Sequence, residues 1–327
     1  MTRVLTGIQS SGDLHWGNYF GAIKPMLDFQ ADKKNEMFFF IADLHAFTSQ
    51  TDAKQFTEYQ KNAVIDWLAL GVDPEKSLFY RQSDIRSHTE LTWILLCQTS
   101  MGLLERAHSF KDKKAKGMEA NAGLFTYPVL MASDILLYDA NKVPVGKDQK
   151  QHVEMSRDIA QKFNHRYGDT FTIPKSIIAE NVATIPGLDG QKMSKSYGNT
   201  IEIFADEATL KKKIMSIKTE SVAMGDSIDP KTCAVFAFHK LFENPNLAKL
   251  EKQYKAGDIG FGDSKKQLFE LVWKFFAEAR TKRAELEKDA KLVEKILKAG
   301  AEKANTIAEK KLKTVREKVG LSGSHLV

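Results

Sequence analysis

Apolar positions in the first 81 residues follow two rhythms. Val4 to Ile8, Met37 to Ala42 and Ser77 to Arg81 are short, nearly continuous apolar or β-favouring runs, the pattern of strands buried on both faces. Between them the period lengthens to that of a helix. Tyr19, Ile23 and Leu27 share one side of a segment from Asn18 to Lys33, and Phe56, Tyr59, Ala63 and Trp67 share one side of Ala53 to Leu70. Strands alternating with helices at this spacing predict an α/β domain with a parallel sheet. Ligands of that fold class settle in the crevice at the carboxyl ends of the strands.

From 87 to 120 the alternation stops and the pattern is helical, which reads as an insertion into the α/β domain. Pro128 is expected near the start of an apolar helix running to Tyr138, since proline is tolerated in the first turn. Val143-Pro144-Val145-Gly146 reads as a strand end, Asp148 as the cap of another helix, and Pro186 to Gly190 as a turn-rich break. After Ile201 the chain reads almost entirely as helix. Leu268, Leu271, Val272, Phe275, Phe276 and Ala279 form one helical stripe. Leu292, Ile296, Ala304, Ala308, Val315 and Val319 mark a second, lysine-rich amphipathic helix ending at Gly320. The expected division is an α/β domain over 1–200 and an α-helical domain over 201–327.

The 327 residues suit about two domains of roughly 150 residues each. A composition of 43% hydrophobic and 28% charged residues is that of a globular protein, which excludes disordered and fibrous classes. No apolar run outlasts Met37 to Ala42, far short of the roughly 18 residues of a membrane span. No signal-type apolar segment precedes the first strand. Two cysteines, Cys97 and Cys233, are too few for a disulfide framework or a four-ligand zinc site. These features predict a soluble, cytoplasmic protein with no metal site of its own and no membrane partner. The net charge of +6 is uneven: residues 1–200 balance at 23 basic and 23 acidic, whereas 201–327 carry 25 against 19. Solvated helix faces account for that excess, and so does attraction to a polyanion such as RNA.

Two segments carry candidate chemistry. Gly7-Ile8-Gln9-Ser10-Ser11-Gly12-Asp13-Leu14-His15-Trp16-Gly17-Asn18 joins the first strand to the first helix. Its glycines admit a ligand close to the backbone, and free N–H groups at the helix start favour phosphate. His15 and Asn18 can donate hydrogen bonds there. By itself such a segment reads equally as a glycine-rich turn with a surface histidine. The second segment is Lys192-Met193-Ser194-Lys195-Ser196, whose two lysines and hydroxyls suit charge moving onto a leaving pyrophosphate. Five residues of this kind also arise on ordinary surfaces. Neither a Walker-type loop nor a GxGxxG competes for the phosphate role. Taken together, in this order and at this separation, the two segments resemble the signatures of class I aminoacyl-tRNA synthetases. His15-Trp16-Gly17-Asn18 resembles the family's HIGH motif, and residues 192–196 match KMSKS without a change.

Further residues narrow the resemblance to the tryptophanyl-tRNA synthetases, over essentially the whole chain. Gly7 to Gly12 is similar to that family's opening. Thr126-Tyr127-Pro128 leads into Met131 to Tyr138, which resembles its substrate-binding helix. Val143 to His152 resembles its next binding strand and helix, and Arg106 to Lys113 a basic segment reaching the nucleotide. The resemblance implies a Rossmann-like parallel-sheet catalytic domain with the helical insertion, and a C-terminal helical domain that recognises the tRNA anticodon. It implies that Asp134 accepts the indole N–H, that Tyr127 and Gln149 orient the amino group, and that Met131, Val143 and Val145 line the indole pocket. For ATP it implies Gln9, Ser10, Ser11, Gly17 and Asn18, then Gly146, Lys147 and Asp148 against the ribose and Ile185 beside the adenine. The Lys192, Met193, Ser194, Lys195 and Ser196 loop also belongs to that ATP site. Catalytic roles fall to His15, Asn18, Lys113, Lys192, Ser194 and Lys195. Magnesium is expected with the nucleotide phosphates and tRNA(Trp) as the second substrate. A homodimer is also expected, with helices 53–70 and 87–104 at its interface.

Three positions depart from the family pattern. Asn18 replaces the second histidine of HIGH, so it can donate but carries no charge. Lys147 stands where an acidic residue is common, and Leu5 replaces a frequent aromatic. Tyrosyl-tRNA synthetase shares both signatures, but the opening and the Asp134 helix favour tryptophan. A non-catalytic, RNA-binding paralogue is a third reading, disfavoured by the intact lysine pair.

Overall fold

In the computed structural model of the chain, residues 1–9, 12–107, 121–146, 149–178, 185–222 and 225–321 are described. The chain divides into two compact units interleaved in sequence. The first takes Met1–Gly12, Pro25–Glu180 and Leu286–Val327, and the second takes Asp13–Lys24 and Asn181–Glu285.

The first unit is built on strands β1 (Thr2–Ile8), β2 (Asn35–Ile41), β3 (Ser77–Arg81), β4 (Lys142–Pro144) and β5 (Lys175–Ile177). They form one parallel sheet in the order β3-β2-β1-β4-β5. Val4 lies opposite Met37, and Phe39 opposite Phe79. Every residue from Met37 to Ile41 is buried, so β2 is apolar on both faces, as a central parallel strand must be. Strand order reverses at β1, which makes the carboxyl ends of β1 and β4 the topological switch point. The short β5, with no apolar run of its own, was not foreseen from the pattern.

The Ala53–Leu70 helix starts where expected, its N-terminus capped by the Asp52 carboxylate on the N–H groups of Lys54 and Gln55. In the insertion, Ser87–Leu96 and Met101–Glu105 are helical, and residues 108–120 lie outside the described residues. The apolar helix spans Ala122–Leu136, with Asn121 capping the Leu124 N–H. Pro128 is therefore inside the helix, six residues past the first helical position. The interior proline costs about 3 kcal/mol, which burial of Leu124, Val129, Ala132, Ile135 and Leu136 outweighs. The next helix runs Lys150–Tyr167, flanked by Gln149; the proposed cap Asp148 lies outside the described residues.

The long C-terminal helix, Ala290–Val319, packs on β3. Its buried line is Val293, Leu297, Gly300, Ala304, Ala308, Leu312 and Val315, while Leu292 is exposed. At Gly300 a Cβ would stand 1.9 Å from the Phe79 carbonyl oxygen, so only glycine admits this approach. Residues 286–319 therefore belong with the sheet, and the compact units do not divide at residue 200.

The expected Asn18–Lys33 helix begins earlier and is interrupted, and only its part up to Lys24 belongs to the second unit. Trp16–Asn18 is a helical turn, Tyr19–Ile23 a π-helical turn, and Lys24–Ala31 an ordinary helix. Trp16 is fully buried, edge-on to Phe242 at 4.8 Å and to Phe238 at 5.1 Å. That packing ties the signature segment to Ala234–Leu241. Leu268, Val272 and Phe276 form the buried part of the predicted stripe, and Phe275 sits at its exposed edge. Among the described residues no helix is long and apolar enough to cross a membrane.

Candidate active site

A cavity of about 440 Å³ opens in the first unit at the carboxyl ends of β1 and β4, a size within the roughly 300–1,000 Å³ of small-molecule sites. Gln9 closes it after β1, and Val143 and Val145 line it at β4. Tyr127, Met131 and Asp134 reach it from one face of Ala122–Leu136, as their i, i+4, i+7 spacing dictates. Gln149 and His45 complete this part of the wall. All six residues assigned to tryptophan thus surround one cavity.

Asp134 is the charged group in that wall and is 1% exposed. Its Oδ1 accepts from Gln82 Nε2 at 2.7 Å and lies 2.6 Å from His88 Nδ1, and its Oδ2 lies 2.7 Å from His45 Nε2. Burial pushes the carboxyl pKa up, but the two imidazoles outweigh it and hold the value at about 2. Asp134 is therefore an acceptor only, and each facing imidazole nitrogen must carry a proton. His88 Nε2 lies 3.1 Å from the Tyr138 hydroxyl. Tyr127 Oη pairs with His152 Nε2 at 2.6 Å.

Residues 15–18 and 192–196 both belong to the second unit, where backbone bonds tie residues 14–16 to 201–203 and the Gly17 N–H reaches the Met193 side chain. Trp16 N–H donates to Ile201 O at 3.0 Å and Ile203 N–H to Leu14 O at 2.9 Å. Gly17 N–H donates to Met193 Sδ at 3.3 Å, and a Cβ on Gly17 would stand 2.9 Å from the His15 ring. Asn18 turns its Oδ1 back to the His15 N–H at 3.0 Å, which leaves its Nδ2 as the donor. Burial, helped by the Lys195 ammonium and opposed by Glu202, lowers the His15 pKa to about 4. Partial desolvation lowers the Lys195 pKa, with Asp13 and Glu202 opposing it. Met193 is buried, whereas Lys192, Lys195 and Ser196 are exposed and Ser194 is half-buried.

The loop is shaped by Asn199, a buried residue that sequence reasoning missed. Its Oδ1 accepts from the Ser194 N–H at 2.8 Å, and its Nδ2 donates to Asp189 Oδ1 at 2.8 Å and Lys192 O at 3.1 Å. Of the remaining candidates, Gly146 is exposed in the first unit and Ile185 is buried in the second. Ser10, Ser11, Lys113, Lys147 and Asp148 lie outside the described residues. His45, Gln82 and His88 were also missed. Their signal was position: each follows the carboxyl end of β2 or β3 within about seven residues, where an α/β sheet presents its ligand-facing side chains.

The family described as tRNA synthetases class I (W and Y) matches residues 1–277. Among curated relatives, a tryptophan–tRNA ligase of Campylobacter jejuni is 52% identical over 98% of this chain and 100% of its own length. One of Rhodopirellula baltica is 50% identical over 98% of this chain and 99% of its own. A crystal structure of the Campylobacter jejuni tryptophanyl-tRNA synthetase complexed with ADP and tryptophan superposes with a TM-score of 0.94, at 52% identity, covering 98% of this chain and 100% of that one.

Proposed function

The chain belongs to the class I tRNA synthetases of the tryptophan and tyrosine family, its activity is that of a tryptophan–tRNA ligase, and we propose how its residues divide that work. Tryptophan occupies the cavity of the first unit. The indole lies among Met131, Val143 and Val145, its N–H donates to Asp134, and Tyr127 and Gln149 orient the amino group. One observation carries this assignment: a fully buried, ionised carboxylate in the wall of a cavity that Met131, Val143 and Val145 also line. An indole offers only a donor, and such a group accepts it without competition.

The residues proposed for the nucleotide are Gln9, Ser10, Ser11, Gly17, Asn18, Gly146, Lys147, Asp148, Ile185 and residues 192–196. A tryptophan carboxylate oxygen attacks the α-phosphorus of ATP. The bond from that phosphorus to the bridging oxygen breaks, and pyrophosphate leaves with the electron pair. A hydroxyl at the 3′ end of tRNA(Trp) then attacks the aminoacyl carbonyl and releases AMP. Positioning and charge stabilisation supply the rate. Lys113, Lys192, Ser194 and Lys195 offset the charge growing on the pyrophosphate. His15, neutral near pH 7 because burial depresses its pKa, serves there as a hydrogen-bond donor.

Magnesium belongs to the same proposal, as a hard cation that would accompany the nucleotide and supply further charge stabilisation. The side chains assigned to the phosphates are ammonium, hydroxyl and amide groups with no carboxylate among them, so the nucleotide itself would hold the ion. The basic helices after residue 201 are the proposed anticodon-recognising surface, supported by their excess of 25 basic over 19 acidic residues. The proposed homodimer draws support from Trp93 and Met101, 68% and 62% exposed on the expected interface helices. The cytoplasm, where tRNA is charged, is the proposed location.

Exchange of labelled pyrophosphate into ATP tests this reading. Exchange is expected with tryptophan and far less with tyrosine. No exchange with either amino acid would leave the non-catalytic reading standing.

A further inference from the structure

Asp134 lies where segments distant in sequence converge, and the donors around it are not equivalent. An ionised carboxylate offers about four acceptor positions, two on each oxygen. Oδ1 is filled by Gln82 Nε2 at 2.7 Å and His88 Nδ1 at 2.6 Å, whereas among the described residues Oδ2 holds only His45 Nε2 at 2.7 Å. One position is left, on Oδ2. Asp134 and His45 line the cavity; His88 and Gln82, both 0% exposed, do not.

We propose that His88 is a positioning residue for the amino acid: with Gln82 it saturates Oδ1 and fixes the carboxylate plane, so that the open position on Oδ2 faces the indole N–H. The inference rests on the reading in which Asp134 accepts that N–H. Since the carboxylate only accepts, a His88 proton sits on Nδ1, and Nε2 lies 3.1 Å from the Tyr138 hydroxyl. The Ser133 hydroxyl donates to the His88 carbonyl at 2.8 Å, which ties the histidine backbone to the helix that carries Asp134. The terminal torsion of an aspartate is soft. Without His88, Oδ1 has a vacant position, the carboxylate can turn, and the direction of the Oδ2 acceptor is lost.

The test compares tryptophan with 3-benzothienylalanine, its isostere with sulfur in place of the N–H, in pyrophosphate exchange. The parent protein is expected to favour tryptophan. In His88→Gln the amide nitrogen reaches the place of Nε2 rather than Nδ1. Tryptophan should then lose about 30-fold in kcat/KM, mainly through KM, while the isostere changes by less than about 3-fold. His88→Asn restores a donor at the Nδ1 place and should recover tryptophan to within about 3-fold of the parent. Equal losses for both substrates in His88→Gln, or an unchanged preference, overturn the proposal. A parent that does not distinguish the two substrates overturns the role of Asp134 itself, and the proposal with it. Nitrogen NMR of labelled histidine in the parent gives a check free of any folding defect. Protonation at His88 Nδ1 is expected, and a neutral ring protonated only at Nε2 overturns the assignment.

Discussion

At Asp134 burial and charge oppose each other directly, and the balance explains which site residues could be read from the chain. Its apolar neighbours on the helix showed that it is buried, and burial of a lone carboxylate is costly. What pairs it was hidden, because His45, Gln82 and His88 are separated from it by 89, 52 and 46 positions. Spacing along one helix reveals Tyr127, Met131 and Asp134 together; it says nothing of loops after other strands. Replacing Asp134 by Asn puts an amide N–H among donors and removes the charge they serve. Tryptophan-dependent exchange should fall by about 100-fold in kcat/KM, with selectivity for the N–H over its sulfur isostere weakened. Unchanged selectivity in paired exchange assays would reject the role. Lys195 is the opposite case, an exposed cation legible from its motif once that motif is paired with the Gly7–Asn18 segment. If it follows charge onto the leaving pyrophosphate, Lys195→Ala should lower kcat by about 100-fold or more and change the KM for ATP only a few-fold. A change confined to KM for ATP would assign it to ground-state binding.

Elements were legible where burial imposes a period and obscure where tertiary contacts override local preference. The Ala53–Leu70 helix and β3 fall on their expected residues, since each has a clear period and a turn at both ends. Pro128 misplaced a helix start because the packing around Ala122–Leu136 tolerates an interior proline. The π-helical turn at Tyr19–Ile23 follows a segment whose backbone is held by Ile201 and Ile203, information absent from its own sequence. Gly300 shows the same dependence. In isolation a helix-interior glycine costs about 1 kcal/mol relative to alanine, so Gly300→Ala would look stabilising. The Phe79 carbonyl at 1.9 Å from the missing Cβ reverses that sign, because neither backbone can yield without moving a whole element. Gly300→Ala should destabilise the chain by about 3 kcal/mol, measurable as a lower denaturation midpoint. An unchanged midpoint would mean that the Ala290–Val319 helix does not lie against β3 this closely.

At the scale of the whole chain, charge and helix content suggested a break at residue 200, yet the last helix belongs with the sheet and Asp13–Lys24 with the later helices. Composition averages over segments and cannot show such an exchange. The division has a consequence for acid stability. His15 and His239 both lie in the second unit, and burial lowers each pKa to about 4. A histidine so depressed binds its proton more readily when unfolded. Stability is then complete above about 6.5 and lost as pH falls toward 4, at about 1.4 kcal/mol per pH unit for each histidine. Within the second unit the depressed carboxylates Asp189, Glu202, Asp206 and Glu251 lose their stabilising effect only as pH falls below their usual range. The histidines therefore dominate between about 4.5 and 6.5. In the first unit Asp43, whose pKa burial raises, acts with the opposite sign. Hydrogen exchange, corrected for intrinsic rates, should show the Ala234–Leu241 and Phe261–Phe275 helices losing protection between pH 7 and 5. The His239→Gln variant should reduce the proton dependence of that loss by about one proton, even if its absolute stability is lower. Equal protection of these helices at both pH values would show that the two imidazoles are not held neutral by burial.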